Sequence, residues 1–273
     1  MIVSTMMRIL IPTDFSDNAR KALDYALTLF GDTEPDVTLL NTWQIPHTGV
    51  GMLVSIEDIL RDESERTMAD LVEELKGDTR NAFPIRGLVR AGSLAEVIRG
   101  LLREEKFDYV VMGTLGADDV KKKLLGSNTA NVVSSCPVPV LVVPVNVDLK
   151  APSKVAIATD FKGLKEAQLK PLTALVKKFR AAFLAIHVEK QAVAVGDDES
   201  TAWLAPFNGA RPELVTIVSD DVAEGVDDYV NANKVDLLAV IRHEYGFFEG
   251  LFHRSVSRKL SMYVDCPMLV MPD

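Results

Sequence analysis

Basic charge is scarce in this chain: 30 Lys and Arg stand against 39 Asp and Glu, a formal net charge of −9. That balance argues against an electrostatic grip on nucleic acid or on an anionic membrane surface. It leaves room for a small anion held by backbone donors. Cysteine is nearly absent. Cys136 and Cys266 each precede a proline and give neither a disulfide framework nor metal-ligand spacing, so they read as structural thiols of a reducing cytoplasm. His47, His187, His243 and His253 are scattered without a paired spacing, which argues against a structural zinc site. No apolar run approaches the ~20 residues that span a bilayer. The opening MIVSTMMRILIPTDFS lacks a basic start and a small-residue cleavage site, and reads as a first strand rather than a signal peptide. What remains is an ordinary globular composition, 48% apolar and 25% charged, long enough for one large or two medium domains.

The chain alternates short apolar runs with amphipathic ones. Strands are expected at Met7–Pro12, Val37–Trp43, Ala82–Val89, Tyr109–Met112 and Val138–Val143. Helices are expected from Asn18 to Phe30, capped by Ser16 or Asp17 and ended by Gly31, and then over residues 53–76, 94–105 and 127–135. Glu63, Glu65, Arg66, Glu73 and Glu74 form the wet face of the long second helix. Such alternation implies a parallel, doubly wound α/β sheet. After a polar linker from Asn146 to Ser153 the pattern starts again. Val155–Phe161 repeats Ile9–Phe15 at an offset of 146, and Ala182–Val188 repeats Val37–Trp43 as a second strand. Val235–Val240 repeats Phe107–Met112, and Pro267–Pro272 repeats Pro139–Pro144, at an offset of 128. The long helix has only a weak counterpart, Val193–Phe207. The chain therefore reads as two tandem copies of one α/β unit, residues 1–147 and 152–273.

The richest stretch for function is 106–144. The strand Tyr109–Met112 runs into Gly113, Gly116 and Gly126-Ser127, with two and nine residues between successive glycines, and Ser127–Thr129 opens a helix. Strand, glycine loop and helix start together make a phosphate site: glycine lets backbone approach an anion, and the helix end supplies free N–H donors. No Gly-Lys-Ser/Thr follows, so this is not a Walker loop, and the spacing is not the dinucleotide fingerprint. In an open parallel sheet ligands sit beyond the carboxyl ends of the strands, at a switch in strand order. That rule brings Asp14, Thr42 and Gly113 together although they are far apart in sequence. The structural alternatives are an Asx-type cap for Asp14, a strand end for Gly113, and a loop and N-cap for Gly126-Ser127. Lys121-Lys122-Lys123 can reach a phosphate or be a solvated charge run, with Asp118-Asp119 opposing unless a divalent cation bridges.

The filled pattern G-x2-G-x9-G-S resembles that of ATP-binding universal stress proteins, and with the repeat the resemblance spans almost the whole chain. It implies two tandem domains of the adenine-nucleotide alpha hydrolase-like, universal stress protein type. It also implies a regulatory role in the stress response, with ATP as a ligand of the first domain and Mg2+ bound through the phosphates. Matched position by position, Pro12 and Asp14 fall by the adenosine end and Thr42 by the adenine. Met112 and Gly113 fall beside ribose and phosphates, and Gly116, Gly126, Ser127, Asn128 and Thr129 at the phosphates. In the second copy Ile241, Glu244 and Arg254 stand where Gly113, Gly116 and Gly126 stand, and only Ser255 keeps its partner Ser127. No triphosphate site of the family type is expected there, although Asp160 survives. The stretch Arg242–Phe248 then reads as a lid, a partner surface or a locally packed loop. The family associates through last strands, so Val138–Val143 and Met268–Met271 are expected to pair within one chain as a pseudo-dimer, with a homodimer of chains and a protein partner beyond that. Two other functions compete: a weak ATPase or phosphotransferase, for which no base or arginine finger is assigned, and a nucleotide-free interaction module.

Overall fold

A computed structural model describes residues 6–44, 53–114, 126–161, 163–189, 202–242 and 266–273. The chain divides into two compact units, with the change at Val140/Leu141. In the first unit the strands are β1 (Arg8–Pro12), β2 (Asp36–Trp43), β3 (Ile85–Ala91) and β4 (Tyr109–Gly113), and β5 (Val140–Val143) falls across the division. The helices are α1 (Asp17–Phe30), α2 (Leu53–Gly77), α3 (Leu94–Glu104) and α4 (Ser127–Ser135). The second unit holds β6 (Lys154–Ala158), α5 (Glu166–Phe179), β7 (Ala182–Glu189), a 3-10 helix Ala202–Phe207, β8 (Glu213–Val218), α6 (Val222–Ala232), β9 (Leu237–Arg242) and β10 (Met268–Pro272).

Strand order in the first unit is β3-β2-β1-β4, and β1–β2, β1–β4 and β2–β3 are parallel pairs. In the second it is β8-β7-β6-β9-β10, again parallel. The orders correspond element by element, as a repeat requires. Right-handed crossovers place α1 and α2 on one face of the first sheet and α3 and α4 on the other, where α3 and α4 touch. The inner strands are buried on both faces, and so they read as near-continuous apolar runs: Leu10, Ile11, Val37, Leu39, Val110 and Val111 are all fully enclosed. Gly87 on β3 leaves room for Met68 of α2, whose side chain fills the place a Cβ would take.

Several boundaries differ from those expected. The third strand begins at Ile85 rather than Ala82, and the fifth at Val140 rather than Val138. Pro84 and Pro139 explain both: a proline has no N–H for the ladder, but its carbonyl can still accept at the strand's threshold. Val37 N–H donates to Pro84 O at 2.9 Å and Val110 N–H to Pro139 O at 2.9 Å. Gly31 follows α1 in a right-handed conformation and the chain continues through a 3-10 turn, so the left-handed residue is Glu34 (φ 48°). Of the weak helix expected at 193–207, the six residues Ala202–Phe207 form a 3-10 helix, and 190–201 lie outside the described residues.

Candidate functional site

β1 passes through α1 to β2, whereas β4 passes through α4 toward β5, so strand order reverses between β1 and β4. Register pairs Ile9 with Tyr109 and Leu10 with Val110, which carries Pro12 to the level of Met112. Pro12 also pairs with Leu40 on β2. The carboxyl ends of β1, β2 and β4 thus form one crest.

On the β1 side, Thr13-Asp14-Phe15-Ser16 folds into a tight cap. Phe15 is left-handed (φ 63°), and its N–H donates to Thr13 Oγ1 at 3.0 Å. Asp14 is exposed and its Oδ1 accepts from the Ser16 N–H and hydroxyl at 3.1 and 2.6 Å. Ser16 Oγ in turn caps α1 by accepting from Ala19 N–H at 3.2 Å. Asp14 therefore shapes the turn as an Asx residue does, whatever else it contacts. Asn41 Nδ2 donates to Thr13 O at 2.8 Å and ties the turn to β2.

On the β4 side, Met112 is buried and Gly113 is pressed against α1: a Cβ there would sit 2.6 Å from Asn18 Nδ2 and 3.2 Å from Asn18 O. Thr129 Oγ1 donates to Gly113 O at 2.9 Å, and Gly126 N–H donates to Thr114 O at 2.7 Å. These two bonds fix the start of α4 across the end of β4. Gly126 supplies no capping side chain, and no acidic residue lies in the first turn. Among the described residues no N-cap side chain meets the first-turn N–H groups of α4 at its positive end. Ser127 and Asn128 are exposed there, while Thr129 is buried. Thr42 lies half-buried on β2, paired with Arg90 of β3. Gly116, Asp118, Asp119 and Lys121–Lys123 lie outside the described residues.

Among the described residues two buried polar atoms at this crest have no hydrogen-bond partner, Thr114 Oγ1 and Asn41 Oδ1. Buried polar atoms are ordinarily satisfied, so such orphans mark where a ligand or water belongs. Sequence reasoning missed both residues, and it missed Asn18. The repeat held the signal for Asn41. Its counterpart at the offset of 146 is His187, whose Nδ1 lies 2.9 Å from Thr159 O, just as Asn41 Nδ2 reaches Thr13 O.

The second unit repeats the turn but fills its surroundings differently. Phe161 is left-handed (φ 65°), and its N–H donates to Thr159 Oγ1 at 2.9 Å. Ile241, in the place of Gly113, is a buried residue of β9. Around Phe161 stand His187 and Trp203, with ring centroids 5.0 and 4.8 Å away. Phe207 follows at 5.7 Å from Trp203, and Phe183 at 5.6 Å from Phe207. Residues 243–265, including Glu244, Arg254 and Ser255, lie outside the described residues.

Among the described residues no group of three or more His, Cys, Asp or Glu is placed to hold a metal, and no helix is long and apolar enough to cross a membrane. Cys136 and Cys266 are both buried.

Two parallel, doubly wound sheets in tandem, the first with a glycine-edged crest at its switch point, define an α/β protein of the kind that takes ligands at strand ends. The sequence profile of the Universal stress protein family matches residues 6–144 and 179–272, and the chain belongs to that family. Universal stress protein MJ0577 of Methanocaldococcus jannaschii is 28% identical over 154 residues, covering 50% of this chain and 93% of that protein. A crystal structure of a universal stress protein from Archaeoglobus fulgidus superposes with a TM-score of 0.72 at 18% identity, covering 96% of this chain and 95% of that one. A universal stress protein solved in complex with cAMP is 22% identical, covers 51% of this chain and 98% of its own, and gives a TM-score of 0.39.

Proposed function

We propose that the chain is a nucleotide-responsive regulator of the stress response, with domains at 1–147 and 152–273, and that it binds ATP in the first domain only. The observation that carries this reading is the start of α4, where Gly126 gives no side-chain cap, held across the end of β4 by the Gly126 and Thr129 hydrogen bonds. Its first-turn N–H groups suit phosphate oxygens. The orphaned Thr114 hydroxyl and Asn41 carbonyl add polar contacts at the same crest. Pro12, Asp14, Thr42, Met112, Gly113, Gly116, Ser127, Asn128 and Thr129 complete the set, with Mg2+ bridging the phosphates. The second domain lacks the site because Ile241 occupies the Gly113 place. Pairing of Val138–Val143 with Met268–Met271, a cytoplasmic location and an unidentified protein partner belong to the same reading and rest on the resemblance alone.

The test begins with release of bound nucleotide from denatured protein, followed by titration of the emptied protein with ATP-Mg2+. One adenine nucleotide per chain is expected, against two if the second domain also binds. Ser127→Pro removes one donor N–H at the first helical position, where proline is tolerated, and Gly126 already has the extended ψ of 151° that a following proline prefers. Binding should fall at least about tenfold, the scale of one charge-assisted hydrogen bond, whereas Ser127→Ala, which keeps the N–H, should bind nearly as the parent does. Equal binding by all three proteins would remove the helix start from the site. No nucleotide bound or bindable would leave an interaction module.

A further inference from the structure

The first unit contains a cavity of about 350 Å³ that takes no part in the nucleotide reading. It lies between α1 and α2, below the Thr13–Ser16 turn, with Ile11, Leu23 and Leu39 as its buried floor and Phe15 at its upper edge. Its volume is within the range of small-molecule sites, roughly 300–1,000 Å³. Its rim is acidic. Arg20 is bound to Asp24 at 3.1 Å and, from α1 to α2, to Glu74 at 2.8 Å. Asp17 and Asp70 also line the opening, both exposed, and among the described residues neither has an ion-pair partner. Among the described residues of the lining, the three carboxylates Asp17, Asp70 and Glu74 stand against one cation, Arg20.

The second unit shows what such a space accepts. Ile157, Thr159, Phe161, Leu169 and Ala185 are the counterparts, at the offset of 146, of Ile11, Thr13, Phe15, Leu23 and Leu39. The two turns share the left-handed phenylalanine and its bond to threonine. There the corresponding space is filled from within. Trp203 lies against Phe161, Phe207 against Trp203, and Phe183 against Phe207, a line of rings crossing the face of β7 on which Ala185 sits between Phe183 and His187. The smaller Ala185 in place of Leu39 makes room for them. In the first unit α2 replaces the 3-10 helix, brings no aromatic ring to this place, and leaves the cavity beside Phe15.

We propose that this cavity is a second binding site, for a small molecule with a planar aromatic ring carrying a cationic arm. The ring takes the place against Phe15 that the Trp203 indole takes against Phe161, and the arm meets Asp17 and Asp70. Offset or tilted ring pairs are favourable beyond their buried area, and the rim carboxylates select the cation.

The test uses the full chain with 5-fluorotryptamine, followed by fluorine NMR so that the protein's own indoles do not interfere. Saturable binding at one site per chain is expected. The fluorinated indole propionate, which has the same ring and the opposite charge, should bind at least tenfold more weakly. Leu71 of α2 also lines the cavity, and Leu71→Trp should fill it and abolish binding. Asp70→Lys changes only an exposed side chain and should weaken tryptamine at least fivefold with the melting temperature unchanged. Saturating ATP-Mg2+ should leave the affinity as it was. The proposal is overturned by any one of four results: no saturable binding, equal affinity for the two charges, unimpaired binding by folded Leu71→Trp, or competition by ATP, which would place the ring in the crest instead.

Discussion

A Cβ added to Gly113 would collide with both the side chain and the backbone carbonyl of Asn18, so this glycine is a packing requirement between β4 and α1 as well as an opening at the crest. Gly113→Ala should cost about 1–3 kcal/mol, the range for overpacking a tight core site, read as a lowered denaturant midpoint of the first unit. That cost makes Gly113 a poor probe of ligand binding, whereas Ser127 on the exposed first turn of α4 is a better one. The alternation of strands and helices made the crest legible in the sequence, because ligands of a parallel sheet sit beyond strand ends, and Gly113 and Gly126 marked the end of β4 and the start of α4. Asn18, Asn41 and Thr114 carry no such mark. A threonine after a strand becomes significant only when folding buries it and leaves its oxygen unanswered.

At the scale of elements, the largest difference between the two copies is the connection from the second strand to the third. The first copy uses the 25-residue helix α2, and among the described residues the second uses a six-residue 3-10 helix. That short helix packs through bulk, and Phe207, with none of its surface exposed, supplies it. Phe207→Ala should cost about 3–5 kcal/mol in the second unit's unfolding free energy, and a loss below about 1 kcal/mol would show that the ring line is not structural. Most elements were legible because period and length agreed: α4 was placed at its observed ends, and the buried strands showed as β-branched runs. The strand starts expected at Ala82 and Val138, ahead of Pro84 and Pro139, followed from counting apolar residues rather than N–H donors. The 3-10 helix was not legible, since six residues with an internal proline carry too little periodicity to announce a helix.

Taken as a whole molecule, each unit anchors the amino end of its first strand with a carboxylate network. Glu105 receives Arg86 at 2.5 Å and also Arg8, and those hydrogen bonds hold its carboxyl below the ordinary 4.5. Asp236 is partly buried, which alone would raise it. Hydrogen bonds from the Ser153 hydroxyl, Lys150 and the Lys154 and Ser153 N–H groups outweigh that and hold it below 3.8. A depressed carboxyl contributes its full stabilisation above its unfolded value and loses it as pH falls through the folded one. The melting temperature should therefore be flat in these terms from neutral pH down to about 4.5 and fall below it. Glu105→Gln or Asp236→Asn should lower the neutral-pH value and make the acid fall shallower. An unchanged acid profile in both variants would remove the networks from the cause. Tandem organisation was the most legible property at this scale, because duplicated strands keep their sequence even where a loop has lost its glycines.

The chain has only two tryptophans, and each unit contains one: Trp43 ends β2 and Trp203 stands in the ring line against Phe161. The molecule thus comes with a separate optical reporter for each half. In Trp43→Phe all indole emission arises from the second unit, and in Trp203→Phe all of it arises from the first. Denaturation curves of the two single-indole proteins, laid over the parent's circular dichroism, would show directly whether the duplicated halves melt as one body or in sequence.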